Sequence, residues 1–380
     1  MGTLRPALCF TTILAACSSS DTAQSKLPSG DTGGVQMQDW PAILTSIGNT
    51  IVMPRLEGTT AAANNLATAS NAFCDAPDAE RLASAQSAWS DLMGVWKHGE
   101  AGQFGPVWME PWRVGPKVDF WPARPDNIQE ILDEEFDLTV DSVAGLGTIH
   151  RGLPVMDWVM FVEGTETLAA FTSPDTGERR CDYLVALAGD TANQMTILHD
   201  AWAPTGSNYL ANYLSPDATT DLMSTRETMD ELVNRAIFAV ENVRLLKLGK
   251  PAGQSSGGTP QVERVESPQS GRSLQNALDT LAGVESVVRG DYAGSDGLGL
   301  LDAVADPERQ ASIQTDFDTT YAAAVAAIEA VPPPLTESIY THSVELEQAT
   351  SAVRDLQVVL QVDLAQALAV TIRFNDTDGD

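Results

Sequence analysis

The sequence predicts an all-α protein, and three observations carry that prediction. Apolar residues recur in steps of three and four along most of the chain: Leu184, Leu187, Ala188, Thr191, Met195, Leu198 and Trp202 mark one stripe, and Leu274, Ala277, Leu278, Leu281 and Val288 another. A third stripe, Leu346, Ala349, Val353, Leu356, Leu360, Leu364 and Leu368, continues for roughly six turns, long enough for the spine of a bundle. No segment shows comparable alternation of apolar and polar residues, so strands have no sequence support.

In chain order, MGTLRPALCFTTILAAC places one basic residue, Arg5, before an apolar run too short to span a bilayer, the pattern of an export signal over residues 1–16. The run ends Leu14-Ala15-Ala16-Cys17, which resembles a bacterial lipobox. Cys17 is therefore expected to be the lipid-modified first residue of the mature chain, anchoring it to a membrane. Ser18, rather than an aspartate, follows, which points to the outer membrane and its periplasmic side. Residues 17–38 are rich in Ser, Gly, Asp and Thr and read as a flexible tether. Helices are predicted over 38–56, 59–74, 78–97, 127–134, 140–150, 153–163, 176–202, 217–247, 271–289, 306–330 and 335–371. Between Gly99 and Pro125 the period fails: Trp108, Trp112 and Trp121 stand among four earlier prolines, so this long loop must pack its aromatics against the helices, and structured loops of this length often carry function. PAGQSSGGTPQVERVESPQS, residues 251–270, is predicted to link a helical domain over 39–250 to a second over 271–380.

The chain has 380 residues, 43% hydrophobic, enough for a sizeable core. Fifty-two acidic residues against 22 basic ones give a formal charge of −30, a field that repels phosphate backbones and gathers cations; nucleic acid is excluded as a partner. The simpler account of that acidity is the solubility of an exported protein. Processing leaves Cys74 and Cys181 in the folded part, and export to an oxidising compartment predicts a disulfide between them, two buried free thiols being the alternative.

Several motifs fail on context. Gly253-Gln254-Ser255-Ser256-Gly257 fits G-x-S-x-G, but a nucleophile elbow needs a strand before it and a helix after. Asn375–Asp380 resembles the opening of a calcium loop without its twelve positions or closing glutamate. Asp133, Glu134, Glu135, Asp137 and Asp141 read as a solvated face. The four histidines, His98, His150, His199 and His342, are far apart in sequence, a poor start for a zinc enzyme; His199 fits a cap at a helix C-terminus.

HRGLPVMDW, residues 150–158, is a helix break. Proline lacks an N–H and clashes with the preceding turn, so a helix should begin at Leu153 or Pro154, with Gly152 allowing the bend. Asp157 then lies one turn inside, its side chain leaning back toward the break. A cation, a water or Arg151 could fill the polar pocket formed there, and Arg151 or Arg124 could instead neutralise Asp157 structurally.

The chain resembles the imelysin-like proteins, the M75 peptidase family, over most of its mature length: AWSDLMGVW at 88–96, FGP at 104–106, DFWPARPDNI at 119–128, HRGLPVMDWVMF at 150–161, RRCDYLVALAGD at 179–190, KLGKPAG at 247–253, VESPQSGRSLQN at 265–276 and VTIRFNDTDGD at 370–380. The resemblance implies two packed helical bundles with a G-x-H-x-x-E motif near their interface, proposed to bind metal. Here that frame reads Gly152-Leu153-Pro154-Val155-Met156-Asp157: the histidine is Pro154 and the glutamate is Asp157. This is similar to an RGLP-type subset of the family. His150 replaces the missing ligand only if the break turns it inward.

A metallopeptidase needs about three protein ligands, an open coordination position and a general base, and this frame offers one certain carboxylate. The reading is therefore a periplasm-facing lipoprotein, not an enzyme, that binds a metal ion or small ligand, with a role in iron acquisition implied by the resemblance. Its expected ligand-binding residues are Arg151, Pro154, Asp157, Trp121, Arg124 and Asp119; its expected metal ligands, for a divalent or iron cation, are Asp157 and His150. Expected partners are the membrane, through the lipid anchor, and iron-uptake or other envelope proteins. An M75-type metal-dependent peptidase is the first alternative, and a structural or partner-binding surface lipoprotein the second.

Overall fold

Helix α1, Trp40–Ile47, opens with the Asp39 carboxylate accepting the Ala42 N–H at 3.3 Å and Pro41 in its first turn, both strong start signals. A π-helical turn, Gly48–Val52, carries it directly into α2, Met53–Asp75, so the break predicted near residue 57 does not occur. The structure is a computed structural model and describes residues 39–161 and 166–373. The export signal, Cys17 and its tether, and the Asn375–Asp380 segment lie outside the described residues.

Helix α3, Ala79–His98, is capped by Asp78, whose carboxylate accepts the Arg81 N–H at 2.8 Å. Short helices then fill the irregular region: α4 (Gly115–Val118), α5 (Pro125–Asp133), α6 (Val140–Ala144), α7 (Leu153–Met160) and α8 (Glu166–Thr172). Helix α9, Gly177–Trp202, runs along α2, which also packs on α3. The α9 stripe from Leu184 to Trp202 points into the core. A disulfide between Cys74 and Cys181, Cα atoms 5.4 Å apart, joins the last turn of α2 to the first turns of α9.

After α10 (Tyr209–Leu214), helix α11 (Thr225–Asn242) starts the second set, with Ser224 accepting the Glu227 N–H, and continues into a π-helical segment, Val243–Gly249. Helix α12 (Ser273–Arg289) follows, then a hairpin of β1 (Asp291–Tyr292) and β2 (Ser295–Asp296). Its two turn residues, Ala293 and Gly294, both have positive φ, the geometry that suits the twist of a two-residue hairpin. Helices α13 (Pro307–Glu329) and α15 (Ser343–Val358) pack on each other, separated by α14 (Leu335–Thr341). The single helix predicted over 335–371 is thus broken at His342, which leaves helical geometry; beyond α15 it continues as a π-helical turn, Val359–Leu364, and α16, Ala365–Ala367.

The two sets meet along α3 and α12. They approach so closely that a Cβ on Gly283 would lie 1.9 Å from the His98 carbonyl oxygen, which excludes any side chain there. The described residues form one compact unit with a continuous apolar core. The stretch expected to link two domains, 251–270, lacks long helices as its Gly and Pro content requires, yet it is folded into this core: Val265 and Glu266 are each 2% exposed. A buried charge needs partners, and those of Glu266 lie on both sets of helices.

Candidate functional site at the helical junction

Lys97 is the penultimate residue of α3 and its ammonium is fully buried. Its position on the apolar side of α3, directly after Trp96, gives it no route to solvent, so it gathers three carboxylates. Glu100, at the turn after α3, lies 3.1 Å away; Glu266 lies 2.5 Å away; Asp119, just past α4, is in direct contact. Lys247, carried inward by the π-helical segment that ends α11, completes the cluster with Glu100 at 3.0 Å and Glu266 at 3.1 Å. Thr280 of α12 donates to the second oxygen of Glu100 at 2.9 Å. Five segments distant in sequence therefore share one buried ionic network.

Burial alone would lower the Lys97 pKa, but Asp119, Glu266 and Glu100 overcome it and hold the ammonium well above its ordinary value. Burial likewise pushes Glu266 up, and the two lysines outweigh it, keeping the carboxyl below the usual range; Glu100 follows the same pattern. Three carboxylates face two ammoniums, leaving one negative charge in excess. One oxygen of Asp119 accepts from Lys97 and from the Trp96 indole N–H at 2.9 Å; the other, Oδ1, is buried with no hydrogen-bond partner.

Beside the cluster lies a cavity of about 140 Å³, lined by Trp96, Glu100, Trp108, Asp119, Trp121 and Phe238 among others. The irregular loop supplies Trp108, Asp119 and Trp121, and Gly152 anchors it. Gly152 has φ +86°, and a Cβ there would lie 2.3 Å from the Val118 carbonyl oxygen, so only glycine lets the loop cross the helix break. The Lys247 ammonium sits 6.0 Å from the centre of the Trp121 ring.

Asp157 occupies a neighbouring position. It is fully buried on α7, and its two oxygens accept the backbone N–H groups of Gln269 and Ser270, each at 3.0 Å, fastening the 266–272 loop to the first set of helices. Burial raises its pKa; the Ser270 and Gln269 donors pull it back and the Glu266 charge pushes it up again, leaving it at about 6.

Of the residues expected from sequence, the structure brings Asp119 and Trp121 to the cavity and sets Asp157 beside Glu266. The others part company. Arg151 does not neutralise Asp157: its guanidinium forms a two-pronged pair with Asp190, Nε to Oδ2 at 2.8 Å, and donates to the Ala144 carbonyl at 2.7 Å. Arg124 is exposed, immediately before α5. Pro154 is buried in the first turn of α7 and offers no donor atom. His150 is not among the partners of Asp157; its carbonyl accepts from the Tyr183 hydroxyl at 2.6 Å and its Nε2 is buried without a partner. The donor set at Asp157 does not fit a metal ion, because both oxygens are engaged and no imidazole joins them. Among the described residues no group of three or more His, Cys, Asp or Glu side chains is arranged to hold one.

Sequence reasoning missed Lys97, Glu100, Lys247 and Glu266. A signal was present for one of them: Lys247 in Leu245-Leu246-Lys247-Leu248 is a single cation inside an apolar run, where a buried partner is required, whereas Lys97 only closes the run Gly94-Val95-Trp96.

The molecule is of the all-α helical-bundle class, with a buried ionic network where its two helical sets meet. The profile of the imelysin family, peptidase M75, matches residues 52–366, and the chain belongs to that family. Iron-regulated protein A of Synechococcus elongatus is 25% identical over 288 residues, covering 75% of this chain and 74% of that protein. The fold is shared with the crystal structure of a putative iron-regulated protein A precursor from Parabacteroides distasonis, with a TM-score of 0.74 and 18% identity over 88% of this chain and 97% of the other. An imelysin-like protein from Psychrobacter arcticum gives a TM-score of 0.71 at 15% identity, with the same coverage.

Proposed function

We propose that this chain is a non-catalytic binding protein of the cell envelope, held at the outer membrane through Cys17 on the periplasmic side, that captures a small ligand in a process tied to iron. One observation carries the non-catalytic part: both oxygens of Asp157, the carboxylate of the G-x-H-x-x-E frame, are taken by backbone N–H groups, while Pro154 stands where the frame places histidine. A hydrolytic metal needs about three ligands and an open position, and this frame supplies neither. The ligand's place is the cavity beside Asp119 and Trp121. The iron connection rests on family membership and on the name of the Synechococcus relative. Among the described residues no helix is long and apolar enough to cross a membrane, so membrane attachment in this reading depends on Cys17 alone.

Mature protein purified without tag or chelator tests the reading by metal analysis and a peptide-hydrolysis assay. The expected result is no peptide cleavage and no stoichiometric metal that Asp157→Ala removes. Iron bound one to one, lost with Asp157→Ala, together with cleavage abolished by a chelator, would replace this reading with the metallopeptidase. In cells, Cys17→Ser is expected to move the protein from the membrane fraction to the soluble fraction; retention in the membrane would refute the anchor.

A further inference from the structure

We propose that the cavity binds a small organic cation, an ammonium group carrying apolar substituents. This rests on the binding-protein reading above and names its ligand class. The charge beside the cavity has a defined sign: Asp119 is 9% exposed, its buried Oδ1 has no hydrogen-bond partner, the adjoining cluster holds three carboxylates to two ammoniums, and Arg235, the cation on the lining, is paired with Glu231. An anion would meet this excess charge unfavourably.

The walls suit a cation that is also apolar. The Trp96 N–H is spent on Asp119 and the Trp108 N–H on the Gln103 carbonyl at 2.9 Å, so these indoles offer the cavity their carbon skeletons and no donor. Trp121 already holds the Lys247 ammonium, and the Arg235 guanidinium lies 5.9 Å from the Phe238 ring, so two of the aromatic walls engage cations within the fold. Arg235 also lines the cavity, but its Nε is bonded to Glu231 at 2.8 Å. A bare metal ion fits less well. Both Glu100 oxygens are engaged by Lys97, Lys247 and Thr280, leaving Asp119 Oδ1 as the free oxygen beside two ammoniums that repel a dication.

Size and access agree. At about 140 Å³ the cavity is close to engineered cavities that admit benzene, which sets the ligand at about six to eight non-hydrogen atoms. Trp108 lines the cavity and is 46% exposed, and the formal charge of −30 draws cations toward the surface.

The test titrates the mature protein with choline and with 3,3-dimethylbutan-1-ol, its uncharged counterpart of the same shape, at constant ionic strength, followed by tryptophan fluorescence and calorimetry. Choline is expected to saturate one site and to bind about tenfold or more tighter than the alcohol. Asp119→Asn should abolish that preference. Because Asp119 also supports Lys97, Trp108→Ala is the second variant: its side chain is on the surface, its fold should survive by circular dichroism, and choline affinity should fall about tenfold. Equal affinity for the two compounds, or choline binding unchanged in both variants, overturns the proposal. Saturable iron binding with no choline binding sinks the ligand class and spares the binding reading; silence toward choline, the alcohol and iron alike sinks both.

Discussion

Asp157 couples the site to pH in the direction opposite to Glu100 and Glu266. Below about pH 4 it is protonated in folded and unfolded chains alike and contributes nothing to pH dependence. As pH rises from 4 toward 6 the unfolded chain releases the proton first, so stability falls; above about 6 the penalty levels off near 3 kcal/mol for a shift of this size. Glu266 runs the other way, since its carboxyl is held below its usual range by Lys247 and Lys97 against burial, and its contribution is lost as pH drops below about 4.5. Thermal unfolding against pH should therefore show a maximum near pH 4 to 4.5 and a descending limb from there to about 6. Asp157→Asn should flatten the descending side, while costing about 1–3 kcal/mol at pH 5 because the amide accepts only one of the two N–H groups. An unchanged descending limb would remove Asp157 from the account. Lys97→Met, which takes from Asp119 its cationic partner and leaves Lys247 alone to face Glu100 and Glu266, should cost about 3–5 kcal/mol in denaturant unfolding; a cost below about 1 kcal/mol would show that the cluster is not desolvated as described. At this scale the sequence revealed less than it contained. Asp119 and Trp121 announced themselves by standing in a loop too aromatic to be idle, whereas Lys97 and Lys247 sit on helices, where lysine ordinarily reads as solvent-facing.

At the scale of elements, long helices with a full apolar stripe were legible: α3, α9, α12 and α13 begin and end within two residues of their expected bounds. The short α4, α8 and α10 were not, because fewer than two turns give no measurable period. Nor were the π-helical turns at Gly48–Val52, Val243–Gly249 and Val359–Leu364, which insert a residue without interrupting the apolar pattern. The second of these matters to the site, since it is the segment that turns Lys247 inward. Two changes test how elements are joined. Gly283→Ala should separate α12 from α3 and cost at least about 3 kcal/mol, read by thermal or denaturant unfolding, because backbone, not a yielding side chain, blocks the added carbon. Replacing Cys74 and Cys181 by alanine opens a loop spanning 107 residues and should cost about 2–4 kcal/mol in denaturant unfolding while leaving α-helical circular dichroism intact.

For the molecule as a whole, family and fold were readable because stripe, motif order and the irregular aromatic loop agreed; the position of the 251–270 stretch was not. Its Gly, Pro and Ser content speaks truly about secondary structure and says nothing of burial, which Glu266 and its distant lysines decide. The formal charge of −30 sets a further expectation. Self-repulsion opposes the compact state, so raising salt from about 0.01 M to 0.15 M, which shortens the screening length from roughly 30 Å to 8 Å, should raise the unfolding temperature. A fall over that range would mean that attraction between exposed charges of opposite sign, rather than net repulsion, dominates the response.

The carboxylate that grips two amide hydrogens of the 266–272 loop has a kinetic meaning as well. With that loop bolted to the first set of helices by Asp157 and Lys97 and to the second by Lys247, the halves of the protein are denied the jaw-like opening by which many receptors admit their cargo. In the proposed binding reading, a ligand passing the exposed indole of Trp108 would have to free its N–H from the Gln103 carbonyl, so exchange should proceed by movement of that side chain without any change in overall dimensions.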